Sequence, residues 1–425
     1  MTVVAERNIV VAGPTTVVIK SWKIPIILGA FALLALVLFV ILGRNGTTTF
    51  ILAEPTDFLQ VAPIGIPVRA SGIVATVLLA AFAVLGAWFV RSRGRVPLWI
   101  DILFGFVFLV EFLTWAAAPA SVQVPGMLLQ TIALSVPLIF GALGGVISER
   151  VGVVNIAIEG QLLAGAFVSA MIASITHQPL LGLIGAMVAG VLVSFILAAF
   201  SIKYLVDQVI VGVVINVFIV GLTNFLYSTV LSESPELLNS PPRFEAIDIP
   251  VLSQIPVIGP TFFRQSLIVY LVYVAVPLVW FGLFHTRWGL RLRAVGEHPQ
   301  AADTVGINVT RTRFWNVSLA GAIAGLGGAF FTLGSVGAFS REMTGGQGYI
   351  ALAAVIFGRW DPIRATVAAL LFGFANELQY VLQDTSPIPS EFMLMLPYVV
   401  TILAVAGLVG QVRGPAASGK PYIKS

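Results

Sequence analysis

Twelve apolar runs, separated by polar or basic breaks, set the pattern of this 425-residue chain. Runs of roughly 17–25 residues are long enough to cross a bilayer as helices. They fall at 24–42, 72–90, 98–117, 127–148, 153–175, 179–202, 208–231, 265–285, 314–335, 345–358, 363–382 and 391–410. The tenth is the shortest and opens on Gly345 and Gly346, so it is the one expected to be re-entrant or broken. The expected fold is an all-α integral membrane protein of about 12 transmembrane helices. Two breaks stand out. Residues 232–264 carry Pro235, Pro241, Pro242, Pro250, Pro256 and Pro260, and are expected to fold as a small cap. Residues 287–313, RWGLRLRAVGEHPQAADTVGINVTRTR, form the longest strongly basic break.

Charge orients the runs. If the N-terminus is cytoplasmic and the segments alternate, eighteen of the 23 Lys and Arg fall on the cytoplasmic side, leaving Arg44, Arg69, Arg243, Arg264 and Arg341 outside. Cytoplasmic loops carry the basic excess in membrane proteins, so both termini are expected inside the cell. Dropping 345–358 would reverse every later segment and expel Arg359, Arg364, Arg413, Lys420 and Lys424. The charge pattern therefore requires that short run to cross. The chain is expected to divide into an N-terminal segment with an extra hairpin (1–97), a transmembrane core (98–410) and a cytoplasmic tail (411–425).

Composition agrees: 58% hydrophobic, 10% charged, mean hydropathy +1.00, against about 25% charge in soluble domains. The pI near 9.5 reflects topology signals rather than nucleic-acid binding. Zero Cys excludes disulfides, thiol catalysis and Cys-ligated metal. His177, His285 and His298 are scattered and suggest no metal site. The long first run lacks a small-residue cleavage motif, so no cleavable signal peptide is expected.

Ionisable side chains at bilayer depth are costly and point to function. They are Glu111, Glu159 and Glu377. Asn155 lies four residues before Glu159 and is expected on the same helix face, with Gln161 beside it. Two roles for Glu159 stay open: a polar lining for a hydrophilic substrate, or an internal hydrogen bond fixing a helix break. Asn376, Glu377 and Tyr380 offer an amide, a carboxyl and a ring, which suit hydroxyls and base edges. Asn216, Asn224 and Gln347 complete the polar set, with helix–helix hydrogen bonding as the alternative for the asparagines. EGQLLAGAF (159–167) and GGQGYIALAA (345–354) echo each other five runs apart, the offset an inverted repeat requires. GPAASGK (414–420) fits part of a phosphate-binding loop, but Pro421 stands where Ser or Thr is needed. No catalytic constellation is evident, so no enzyme activity is expected of this chain.

ALGGVISERVGVVNIAIEGQLLAGAF (142–167), RLRAVGEHPQAADTVGINVTRTR (291–313), GQGYIALAAVIFGRWDP (346–362) and GKPYIKS (419–425) resemble the permease subunits of bacterial nucleoside ABC importers. These belong to the wider sugar and branched-chain amino-acid permease superfamily. The resemblance implies a type II importer-like core of ten helices with an inverted repeat, here preceded by the extra hairpin. It implies a bacterial cytoplasmic membrane, a second related permease, an ATPase subunit with two fused nucleotide-binding domains, and an extracellular substrate-binding lipoprotein. ATP and Mg would be bound by the ATPase, with no cofactor in this chain. The loop that touches the ATPase would be 287–313. Within it, Gln300-Ala301-Ala302 and Gly306 resemble the Glu-Ala-Ala-x3-Gly spacing of coupling loops, with Gln300 replacing the acid. Ala301, Ala302 and Gly306 are then the expected contact face, with Arg293 and Glu297 pairing across the interface. A ribose-type sugar permease and an ion-coupled secondary transporter remain the alternatives.

Overall fold

The computed structural model describes residues 21–383 apart from 56 and 95, together with 395 and 414–424. The expected run 391–410 lies outside the described residues. The chain forms two compact units, one of 1–49 with 65–120 and one of 50–64 with 121–425.

The first unit holds α1 (Lys23–Ala35), which continues as a π-helical turn to Ile41, then α2 (Val68–Arg93) and α3 (Leu98–Ala116). Gly94, left-handed at φ 76°, ends α2. The boundary expected at 97/98 falls inside this unit. Polar bonds explain why α3 stays with its predecessors. Glu111 Oε1 accepts from Ser71 Oγ at 3.1 Å, Arg44 Nη1 donates to the Ala116 carbonyl at 2.9 Å, and Trp115 Nε1 donates to the Leu42 carbonyl at 3.1 Å. Glu111, expected as a functional acid, is thus absorbed by a helix–helix bond.

The second unit runs α4 (Val124–Arg150), α5 (Ile158–Thr176), α6 (Pro179–Ala198), α7 (Gln208–Leu226), the short α8 (Pro235–Leu238), α9 (Leu267–His285), α10 (Arg287–Glu297), α11 (Pro299–Thr304), α12 (Val309–Ala329), α13 (Gln347–Phe357) and α14 (Pro362–Gln383). π-helical turns extend α6 to Lys203, α7 to Leu231 and α12 to Val336. Among the described residues, ten helices, with these extensions, are long and apolar enough to cross a membrane, and α13 is the shorter eleventh. The residues α4, α5, α6 and α12 bury in the unit's interior are largely small or aliphatic. Glycine lets these helices approach at backbone distance: a Cβ on Gly190 of α6 would collide with the Gly321 carbonyl of α12, and one on Gly165 of α5 with Gly325. Phe167 and Phe330 are core residues, each 5% exposed.

The proline-rich break does form a small folded layer. Ala246–Asp248 pairs antiparallel with Arg264–Ser266, and Arg264 bridges Glu54 at 2.9 Å and Asp248 at 3.3 Å.

The weak tenth run resolves into two parts. α13 has 11 residues, about 16 Å of helix, roughly half the ~30 Å hydrocarbon thickness. Its C-terminal end lies beside the end of α4: Arg150 Nε donates to the Trp360 carbonyl at 2.9 Å, and Trp360 Nε1 donates to Glu149. The far end of α12 meets the proline-rich layer, where Phe244 N donates to the Leu333 carbonyl at 2.8 Å. Residues 337–346 are irregular backbone between the end of the α12 extension and the start of α13. Gly345 and Gly346 turn the chain into α13 with φ of 52° and 82°, a region open to glycine.

Candidate functional site

The first turn of a helix leaves unpaired N–H groups, and where these are buried something must accept from them. α13 starts this way, and the acceptor is Glu159. Its Oε1 accepts from Thr344 Oγ1 at 2.6 Å and from Gly346 N at 2.9 Å, while Oε2 accepts from Gly348 N at 2.6 Å. The carboxyl is 6% exposed. Glu159 thus makes the internal bonds that tie the first turn of α5 to the break before α13, and it also lines the adjacent cavity. The two echoing segments, 159–167 and 345–354, meet at this point.

Asn155 is not on the Glu159 face of a helix, because α5 begins only at Ile158. It lies in the preceding turn and exchanges bonds with Gln161: Asn155 Nδ2 to Gln161 Oε1 at 3.1 Å and Gln161 Nε2 to Asn155 Oδ1 at 3.3 Å. Gln161 also donates to Ser194 Oγ of α6 at 2.9 Å. Asn216 of α7 accepts from Gly160 N at 2.8 Å and donates to the Ile156 carbonyl at 2.9 Å and to Tyr349 Oη at 3.1 Å. Asn155, Glu159, Gln161 and Asn216 are all buried. They form one polar cluster that joins α5, α6, α7 and α13.

The cluster borders a cavity of about 280 Å³ lined by Glu159, Asn216, Glu342, Thr344 and Tyr349, with Val217 and Val220 as its apolar part. Tyr349 is 47% exposed. Asn224 Nδ2 donates to Glu342 Oε1 at 3.1 Å. Among the described residues, Gln347 Oε1 and Asn224 Oδ1 are shielded from solvent and have no hydrogen-bond partner. Tyr349, Glu342 and Thr344 were missed by sequence reasoning. The signal for Tyr349 was present, an aromatic two residues after Gln347 in a glycine-rich break.

Asn376, Glu377 and Tyr380 do not join this cluster. They lie on the last turns of α14, which packs chiefly on α4. Glu377 is 8% exposed, Tyr380 is 59% exposed and Asn376 is half-buried.

The basic break forms α10, α11 and the first turn of α12. Its small residues divide: Gln300, Ala301 and Gly306 are exposed, whereas Ala302 is 3% exposed and belongs to the core. Ala302 is therefore removed from the expected contact face, and Val305, 75% exposed, stands in its neighbourhood. Among the described residues, neither Arg293 nor Glu297 takes part in a salt bridge within the chain. The Arg293 guanidinium sits 5.1 Å over the Phe284 ring, and Glu297 Oε2 accepts from Ala416 N at 3.2 Å. The tail 414–424 lies along this segment: Ala417 N donates to the Gly296 carbonyl at 2.9 Å, and Arg313 Nη1 to the Lys420 carbonyl at 3.0 Å. Arg313 is 2% exposed, so it is a structural tie rather than a topology signal alone. Among the described residues, no cluster of His, Cys, Asp and Glu could hold a metal ion.

Residues 127–405 match the family model described as branched-chain amino acid transport system / permease component. The guanosine ABC transporter permease protein NupQ of Bacillus subtilis is 43% identical over 304 residues, covering 69% of this chain and 95% of that protein. The nucleoside ABC transporter permease protein NupC of Lactococcus lactis is 42% identical over 303 residues, covering 68% and 94%. The putative glucose ABC transporter permease protein TsgC13 of Haloferax volcanii is 36% identical over 261 residues, covering 61% and 79%. No solved structure matches the chain. The family match begins after the three helices of the first unit. A bundle of apolar helices, a half-helix ending inside it and matches of this extent together establish that the chain belongs to the ABC transporter permease family of branched-chain amino acid transport system permease components.

Proposed function

We propose that this chain is the membrane-spanning subunit of an ATP-driven importer of nucleosides. The observation that carries the reading is the pair of relatives named for guanosine and nucleoside transport, both above 40% identity over nearly their whole length. The cavity beside Glu159 supports it: an exposed Tyr349 ring with the polar side chains of Glu342, Thr344 and Asn216 offers the stacking and hydrogen bonding that a nucleobase and a ribose use. Glu159, Asn216 and Tyr349 line that cavity, and Asn155, Gln161 and Gln347 are assigned to the same path. Asn376, Glu377 and Tyr380 are assigned a separate stretch of polar lining on α14.

The chain hydrolyses no ATP itself. A separate ATPase with two fused nucleotide-binding domains binds ATP and Mg, a second related permease completes the pore, and an extracellular lipoprotein delivers substrate. Related permeases occur among the relatives, including the guanosine ABC transporter permease protein NupP of Bacillus subtilis at 27% identity. We assign both termini to the cytoplasm of a bacterial cell, twelve crossings in all with 391–410 as the last, and an inverted repeat relating α5 to α13. The segment 297–308 is the coupling element, with Gln300, Ala301, Val305 and Gly306 as its outward face and Arg293 behind it.

The test is uptake of labelled nucleosides and ribose in a strain lacking this gene, with and without its restoration. Nucleoside uptake restored by the gene and abolished by ATP depletion is the expected result. Restoration of ribose uptake alone would replace the substrate class, and uptake surviving ATP depletion but not loss of the ion gradient would replace the energy source.

A further inference from the structure

At the same end of the second unit as α10 and α11, a cavity of about 870 Å³ opens between the end of α6, the first turn of α12 and the tail. Cations reach it from three separate elements: Lys203 from the turn after α6, Arg311 from α12 and Lys424 from the tail. None of the three takes part in an ion pair among the described residues. One carboxyl, that of Asp303, also lines the cavity, together with Tyr422, so the cations outnumber it three to one. The first turn of α12 has no acidic residue, so the positive end of that helix adds to the same field. Asn308 already accepts from Arg311 N at 2.9 Å. An anion here is therefore held by side-chain cations rather than by bare helix amides.

The remaining wall is apolar. Ala198, Ala199 and Ile202 line one side and Phe314 the other. Trp315, 56% exposed, and Leu319, 41% exposed, continue down α12 away from the cations. Tryptophan is enriched at the headgroup level of bilayers. A cationic head above an apolar, lipid-exposed stripe does not suit a fully hydrated anion. It suits a ligand with a phosphate at one end and hydrocarbon at the other. Basic pockets between transmembrane helices bind anionic headgroups by this combination.

We infer that Lys203, Arg311 and Lys424 form a binding site for an anionic phospholipid, its phosphate among the three cations and its acyl chains along Trp315 and Leu319. The tail supplies the third cation, so lipid binding and tail docking on the α10–α11 segment support each other. The inference does not depend on which solute the protein carries.

The test uses the purified full complex in nanodiscs of phosphatidylcholine with and without phosphatidylglycerol, read by native mass spectrometry of retained lipid. Selective retention of phosphatidylglycerol is expected, weakened about fivefold for each of Lys203→Gln, Arg311→Gln and Lys424→Gln, and preserved in Arg311→Lys. Each single variant is checked for helix content and monodispersity, so loss of lipid is not confused with misfolding. Equal retention by wild type and all three variants would overturn the site. Binding of inorganic phosphate in phosphatidylcholine discs as tight as that of phosphatidylglycerol would overturn the lipid as its source. Loss of the ATPase from variants that still retain phosphatidylglycerol would assign the cavity to a protein partner instead.

Discussion

Replacing Glu159 by Gln removes one acceptor and one charge while keeping the shape of the side chain. The wild-type carboxyl receives three hydrogen bonds from the turn before α13. An amide has one oxygen, and its NH₂ group cannot accept. In either orientation one backbone N–H, of Gly346 or Gly348, is left facing a donor beside a side chain only 6% exposed. A buried donor without a partner costs about 1–3 kcal/mol. Removing negative charge from a helix N-terminus adds about 0.3–2 kcal/mol. Together these give about 1.3–5 kcal/mol, which at about 1.4 kcal/mol per decade lowers the folded-to-unfolded ratio by roughly tenfold or more. The assay is thermal unfolding of the purified variant, followed by Trp fluorescence, beside uptake normalised to folded protein in the membrane. A fall in the unfolding midpoint on the order of 5 °C is expected, with residual uptake per folded molecule. A variant that unfolds like wild type yet transports nothing would refute the reasoning and return Glu159 to direct contact with substrate.

Other substitutions separate the parts of the site. A Cβ on Gly348 would collide with the backbone of Glu159, so Gly348→Ala should destabilise the protein by about 3 kcal/mol, seen as loss of membrane accumulation. Asn216→Leu should strand Gly160 N and free the Tyr349 hydroxyl, costing about 1–3 kcal/mol of stability. Ala301→Trp and Ala302→Trp should fail differently: the exposed Ala301 variant should accumulate normally and lose ATP-driven uptake, whereas the buried Ala302 variant should accumulate poorly. Normal uptake by the Ala301 variant would remove 297–308 from the coupling role. Trp360→Phe should retain the ring and lose the bond to Glu149, lowering the unfolding midpoint without changing substrate preference in competition uptake assays.

The long helices were legible because a lipid environment demands long apolar runs, and their pattern survives any detail of packing. The short run 345–358 was legible as a re-entrant or broken segment, but the point where irregular backbone gives way to an 11-residue helix was not. The acceptor that makes a helix start possible there is Glu159, 185 residues away from Thr344. Helical spacing misassigned Asn155 because nothing in VVNIAIEG shows that the chain is still turning until Ile158. The coupling-like spacing identified Ala301 and Ala302 as small but could not give the roll of a six-residue helix, which tertiary contacts decide. Glu111 was read as functional from its chemistry, and only the contact with Ser71 shows it to be a tie between helices.

The docking of the tail on α10 sets an order in time. Glu297 and Ala416 are 119 residues apart in sequence yet bonded in the structure. A ribosome that has released the α10–α11 segment has still to make α12, α13, α14 and the stretch after them before Ala416 exists. Until then the segment lacks its last support, and so does the cavity that Tyr422 and Lys424 help to enclose. Any partner that reads this face as a folded surface therefore meets it only after the chain has been made through Lys424.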